Sequence, residues 1–201
     1  MEKQEKEFIL NKGLILGLVL ILFPIIDLMY GLNMSTSNYF LVFGLLWLIV
    51  YTFLLVKWSK EFASYYELFP FRDAFRTLFI VSALAFSVLT VGKTLLWTFS
   101  FPEKYIEINE KREIGYFSIQ KSVIDDAYKA GTFSDDQYEQ QLEALNGNKL
   151  LLEEKWGEIK SEGLGTTYFV QVLVTVLFLN SIYCAILALF VRKKETFIKT
   201  N

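Results

Sequence analysis

The 201-residue chain has no histidine, one cysteine and three prolines. Without an imidazole it has no histidine general base, no Ser-His-Asp triad and no histidine ligand for zinc. The single thiol, Cys184, can close no internal disulfide. Charge is also missing from long parts of the chain. Residues 14–30, 39–56, 78–101 and 166–191 are nearly free of it. About 20 residues at a 1.5 Å rise cross the hydrocarbon core of a bilayer, and each stretch is about that long. Lipid offers no partner to backbone N–H and C=O groups, so such runs must be helical. As core helices of a soluble chain, four of them would leave too little polar surface to cover them. The expectation is an all-α, polytopic membrane protein with four transmembrane helices. Basic residues precede the first stretch, as in a signal peptide, but Asp27-Leu28-Met29-Tyr30 follows it with no small-x-small pattern. A retained span is expected.

The cations that are present are unevenly placed. Lys3, Lys6 and Lys12 precede the first span, and the connection 31–38 carries no charge. The second connection has Lys57, Lys60, Arg72 and Arg76, and the tail has Arg192, Lys193, Lys194 and Lys199. Short-loop cations accumulate on the cytoplasmic side. Both termini are therefore expected in the cytoplasm, with the spans in the cell membrane (a bacterial inner membrane) and segment 102–165 as an extracytoplasmic insertion. The chain divides into 1–101 (three spans), 102–165 (the insertion) and 166–201 (the fourth span and basic tail). The insertion holds eight basic and fourteen acidic residues, a net charge of about −6. It offers no positive patch to nucleic acid. The partners expected are the lipid bilayer and, through the acidic segment, another membrane or envelope protein.

The insertion reads as helical. Ser134-Asp135-Asp136-Gln137 is a capping-box pattern with two acids at the positive end of the helix dipole. Gly131 is placed to end a preceding helix over about 118–130, and Asn146-Gly147 to stop the capped one before a third helix over about 150–160. Tyr138, Leu142 and Leu145 share one face, as do Leu152, Trp156 and Ile159. Asp125, Asp126, Asp135 and Asp136 could in principle hold a metal, but capping and solvating helices is the expected role. No metal, cofactor or catalytic residue is assigned.

Inside the third span, "SVLTVGKTLLWTF" carries a cation, Lys93. Gly92-Lys93-Thr94 is no phosphate loop: the position five before Gly92 is Ser87, and continuous apolar helix spends the backbone amides on itself. A nucleotide site is rejected. Lys93 lies about 22 Å above the start of its span, and Asp27 about 20 Å above the start of the first. A charge near the membrane centre costs roughly 2.5–3.5 kcal/mol and usually faces inward and pairs. Asp27 and Lys93 are the candidate intramembrane ion pair. Snorkelling to the headgroups and a transport role are the alternatives.

Gly13 and Gly17 form a small-xxx-small pattern suited to close helix packing, and Asn180 and Gln171 are expected to hydrogen-bond across helices. Pro24 frees a carbonyl near Leu20. Phe71 and Phe75 share one face of the approach to the third span, and Arg72 and Arg76 another. This is the pattern of an interfacial anchor.

Five segments, "NKGLILGLVL", "PFRDAFRTLF", "SFPEKY", "GTFSDDQYEQQLEAL" and "ILALFVRKKE", together resemble the bacterial family catalogued as domain of unknown function 4199. The resemblance implies a small four-span integral membrane protein and brings no activity or site with it. The expected function is a non-enzymatic structural, assembly or regulatory component of an envelope complex. A small transporter or channel using Asp27 and Lys93 is the alternative.

Overall fold

The computed structural model describes residues 3–163 and 165–193; Lys194 and Lys199 of the basic tail lie outside them. Six helices account for nearly all of it: α1 (Lys3–Tyr30), α2 (Thr36–Ser64), α3 (Phe71–Ser100), α4 (Pro102–Lys129), α5 (Asp135–Glu162) and α6 (Thr166–Val191). Four of them, α1, α2, α3 and α6, are long and apolar enough to cross a membrane.

The connections follow from local chemistry. A 3₁₀ turn, Gly31–Asn33, leads α1 to Ser35, whose hydroxyl accepts from the amide of Asn38 at the start of α2. Phe101 leaves helical geometry, with φ −141° and ψ 54°, and Pro102 starts α4 where its missing amide costs nothing. Between α4 and α5, Gly131 takes φ +72°, a conformation that suits glycine. Ser134 then caps α5 in a complete capping box with Gln137.

The bundle centres on α3, which packs against α1, α6 and α2. Leu16, Leu20, Leu55, Leu78, Val81 and Ala85 are buried at its middle. Gly13 and Gly17 face α3 so closely that an added Cβ would lie 2.8 Å from Leu84 Cβ and 2.6 Å from Val88 Cβ. The glycine pattern thus serves contact between helices of one chain. The outer faces are apolar: Leu18, Leu41, Phe53, Phe178 and Phe190 are all exposed. Between 19% and 44% of the most apolar stretch of each candidate span is buried by protein, so most of that apolar stretch is not covered by the chain itself.

At one end of the bundle the end of α2 and the α2–α3 connection meet α1 and the residues just after α6. Phe69, before α3, and Lys193, after α6, exchange both backbone hydrogen bonds, at 2.8 and 3.4 Å, and Lys12 pairs with Glu61 at 3.4 Å. From the opposite end rises an antiparallel hairpin of α4 and α5. The two breaks expected within it are absent. Helix α4 begins at Pro102, well before residue 118, and α5 runs unbroken through Asn146-Gly147. The reason lies in the spacing. Tyr138, Leu142, Leu145, Lys149, Leu152, Trp156 and Ile159 are all at least half-buried and recur at four and three residues, so one seam against α4 carries the helix past its weak point. At 1.5 Å per residue each arm is about 42 Å long.

Candidate functional site

Where the hairpin meets the bundle, a cavity of about 290 Å³ opens between α1, α2, α3 and the base of α4. Each wall contributes a distinct chemistry. Helix α1 supplies Pro24 and Asp27, α2 supplies Tyr39, Phe43 and Trp47, α3 supplies Lys93 and Trp97, and α4 closes it with Tyr105, Asn109 and Arg112. Two of the walls wind as π-helix, Phe40–Leu45 in α2 and Thr94–Ser100 in α3. Such segments widen a helix and recur at functional sites.

Asp27 is paired, and its partner is Arg112. The guanidinium Nη2 donates to Asp27 Oδ1 at 2.6 Å, with the two side chains only 13% and 11% exposed. Arg112 also donates from Nη1 to Asn109 Oδ1 at 3.3 Å and lies 3.3 Å above the centre of the Tyr39 ring. A delocalised, weakly hydrated guanidinium suits that stacked, half-dry position better than an ammonium would. Gly31 makes room for the pair. A Cβ there would come within 2.7 Å of the Asp27 carboxylate and 2.9 Å of Ile108 on α4. Lys111 adds a donor to the Leu32 carbonyl at 2.7 Å, and Trp97, Ile108 and Phe169 pack as a small core beneath. Burial holds the Tyr105 phenol well above its usual range, with Tyr168 adding to the shift.

Lys93 lines the same cavity at the depth expected of it, but the anticipated ion pair with Asp27 does not form. Among the described residues Lys93 has no hydrogen bond and no carboxylate within 4 Å. The carboxylate is taken by a cation from outside the four spans, a guanidinium that gives it one hydrogen bond and lies against an aromatic face. Lys93 and Thr94 are in unbroken helical backbone, with Thr94 Oγ1 donating to the Thr90 carbonyl at 2.9 Å. That is incompatible with a phosphate loop.

The other expected positions divide. Asn180 links three helices: Tyr51 donates to its Oδ1 at 2.5 Å and its Nδ2 donates to Ser82 Oγ at 2.7 Å. Gln171 makes no cross-helix bond among the described residues; its side chain is exposed. Phe71, Phe75 and Phe79 stack in sequence, with centroids 6.3 and 5.8 Å apart. Arg72 is 89% exposed and Arg76 is also exposed. Three of the four hairpin aspartates are engaged with side chains, Asp125 accepting from Lys121 and Tyr138, Asp135 from Tyr128 and Asp126 pairing with Lys129, while Asp136 sits in the first turn of α5.

Arg112 escapes a reading that counts the insertion's charges as solvated. Its signal is nonetheless present, because Tyr105, Asn109 and Arg112 are spaced four and three apart. Once Pro102 is taken as the first residue of a helix, they fall on one face.

The family model described as Protein of unknown function (DUF4199) matches residues 11–193. The chain belongs to this family. In this DUF4199 member the matched region takes in all of the cavity and the whole hairpin. No curated protein and no solved structure matches the chain.

Proposed function

We propose that this protein is a non-enzymatic membrane component that holds an acidic helical hairpin out of the bilayer for another envelope protein to engage. The observation that carries the reading is the buried Arg112–Asp27 pair. It ties the hairpin to the bundle, so that the hairpin is presented in a set direction. Lys6, Lys12, Lys57, Lys60, Arg72 and Arg76 collect at the end of the bundle opposite the hairpin, with Arg192 and Lys193. The positive-inside rule then puts both termini in the cytoplasm and the hairpin outside the cell membrane. The hairpin's net negative charge suits a partner with a basic surface. Its exposed Val123, Leu150 and Leu151 supply apolar contact area. Transport is less well supported. Below the cavity, Leu16, Tyr51, Leu55 and Leu78 are fully buried in the apolar core.

The test joins topology to partnership. Gly131→Cys should react with an impermeant thiol reagent in intact cells and Lys193→Cys only after permeabilisation; Cys184 is buried and should stay silent. Photo-crosslinkers at Val123 and Leu150 should give a discrete adduct that copurifies in mild detergent. Labelling of both ends from one side, or crosslinks to lipid alone, would count against the proposal.

A further inference from the structure

The cavity beneath the hairpin holds two cations and one carboxylate, and the carboxylate is already spent on Arg112. Lys93 borders the same space with no direct ion pair among the described residues, and Asp27 acts on it only at longer range. A second cleft, of about 350 Å³, begins on the other side of the same lysine. Trp47, Leu89, Lys93 and Tyr105 border both. Beyond that shared wall the second cleft is mainly apolar, lined by Phe86, Val172 and Val176 with Thr90 and Tyr168 as its polar members. A polar, positive chamber thus adjoins an oily one, with an ammonium at the junction.

We propose that this site binds one anionic phospholipid, its phosphate between Lys93 and Arg112 and an acyl chain in the cleft between α2, α3 and α6. The guanidinium has donors beyond the one given to Asp27, and ammonium and guanidinium groups both form strong charge-assisted bonds to phosphate oxygens. The openings face sideways. Gly44 borders the cavity on α2, is exposed, and would carry a Cβ into empty space. Val172, on the rim of the cleft, is 40% exposed. Both features favour a molecule arriving within the bilayer, and Tyr105 and Asn109 line the polar chamber on its hairpin side. The aromatic walls alone would also suit a quaternary ammonium headgroup. The excess positive charge disfavours that choice. The site is independent of which face of the membrane carries the hairpin, so it stands or fails separately from the orientation proposed above.

The test is native mass spectrometry of the full chain in micelles with equal amounts of phosphatidylglycerol and phosphatidylcholine, and with inorganic phosphate in a separate arm. The wild type should retain one phosphatidylglycerol with about tenfold preference, the scale of one charge-assisted contact. Lys93→Met should abolish the preference and Lys93→Arg should keep it. Gly44→Trp, whose Cβ meets no neighbour within 4 Å and whose ring obstructs the lateral opening, should reduce retention while leaving the helical spectrum unchanged. If Lys93→Met fails to fold, Gly44→Trp decides. Equal retention of the two lipids by the wild type would overturn the proposal, as would preference undiminished in the folded variants. Stabilisation by inorganic phosphate without lipid discrimination would reassign the site to a free anion and reject the lipid.

Discussion

Two polar clusters lie inside the bundle, and they are built on opposite plans. The Tyr51–Asn180–Ser82 network is neutral and closed: its short bonds join α2, α6 and α3, and Ser82 passes a hydrogen bond on to the Phe79 carbonyl at 2.9 Å. Hydrophobic side chains pack around it. The Asp27–Arg112–Lys93 cluster is charged, borders a cavity, and leaves one cation over. A network whose members all hydrogen-bond one another serves as glue between helices, whereas a surplus cation beside a cavity costs stability and is kept for another purpose. The contrast separates what holds this protein together from what it could bind.

The sharpest way to break that contrast is Arg112→Met. It strands a buried carboxylate, and breaking such a pair costs about 3–5 kcal/mol. Thermal unfolding in detergent should show the largest loss of the series, and Asp27→Asn in the same chain should restore most of it. Next comes Lys93→Met. If the lysine is truly surplus, removing it should raise stability in lipid-free detergent by about 2 kcal/mol, near the cost of an intramembrane cation. A loss of similar size would instead make Lys93 a structural partner and merge the two clusters in kind. For the neutral network, Asn180→Leu should cost only about 0.6–1.7 kcal/mol in the same assay, the range of interhelical hydrogen bonds in membranes.

The smallest effect is expected at the hairpin tip, whose polar contacts are exposed to water. Hydrogen bonds from Lys121 and then Tyr138 hold the Asp125 carboxyl below the usual carboxylate range. A depressed folded-state value means that its contribution is complete above the ordinary pKa of about 3.9 and fades as pH falls through the lower folded value. Amide exchange near residues 121–138 should therefore be insensitive between pH 7 and 5, as judged after correction for intrinsic rates. Faster exchange should appear only in stronger acid.

The spans were legible because lipid imposes one demand, an apolar helix of fixed length, that composition alone reveals. The Ser134 cap was legible for a similar reason, since its partners lie within one turn. Asn146-Gly147 misled because a local stop signal was weighed without the seam from Tyr138 to Ile159 that overrides it. The Asp27 partnership was read half correctly. Depth along two helices can be counted from the sequence and brings Asp27 and Lys93 to one cavity, but Arg112 reaches that cavity by folding back a segment outside the spans. That return depends on Gly31 meeting Ile108 and Thr36 meeting Arg112 and Gly115 of α4, contacts between residues some 75 or more positions apart.

Because Arg112 belongs to one module and Asp27 to another, the hairpin cannot be trimmed away to leave a smaller working protein. Cutting the chain down to its four greasy helices would expose a bare acid to oil, and the remnant would be expected to misassemble. Any shortening of the hairpin has to begin at its far tip and stop before the arginine.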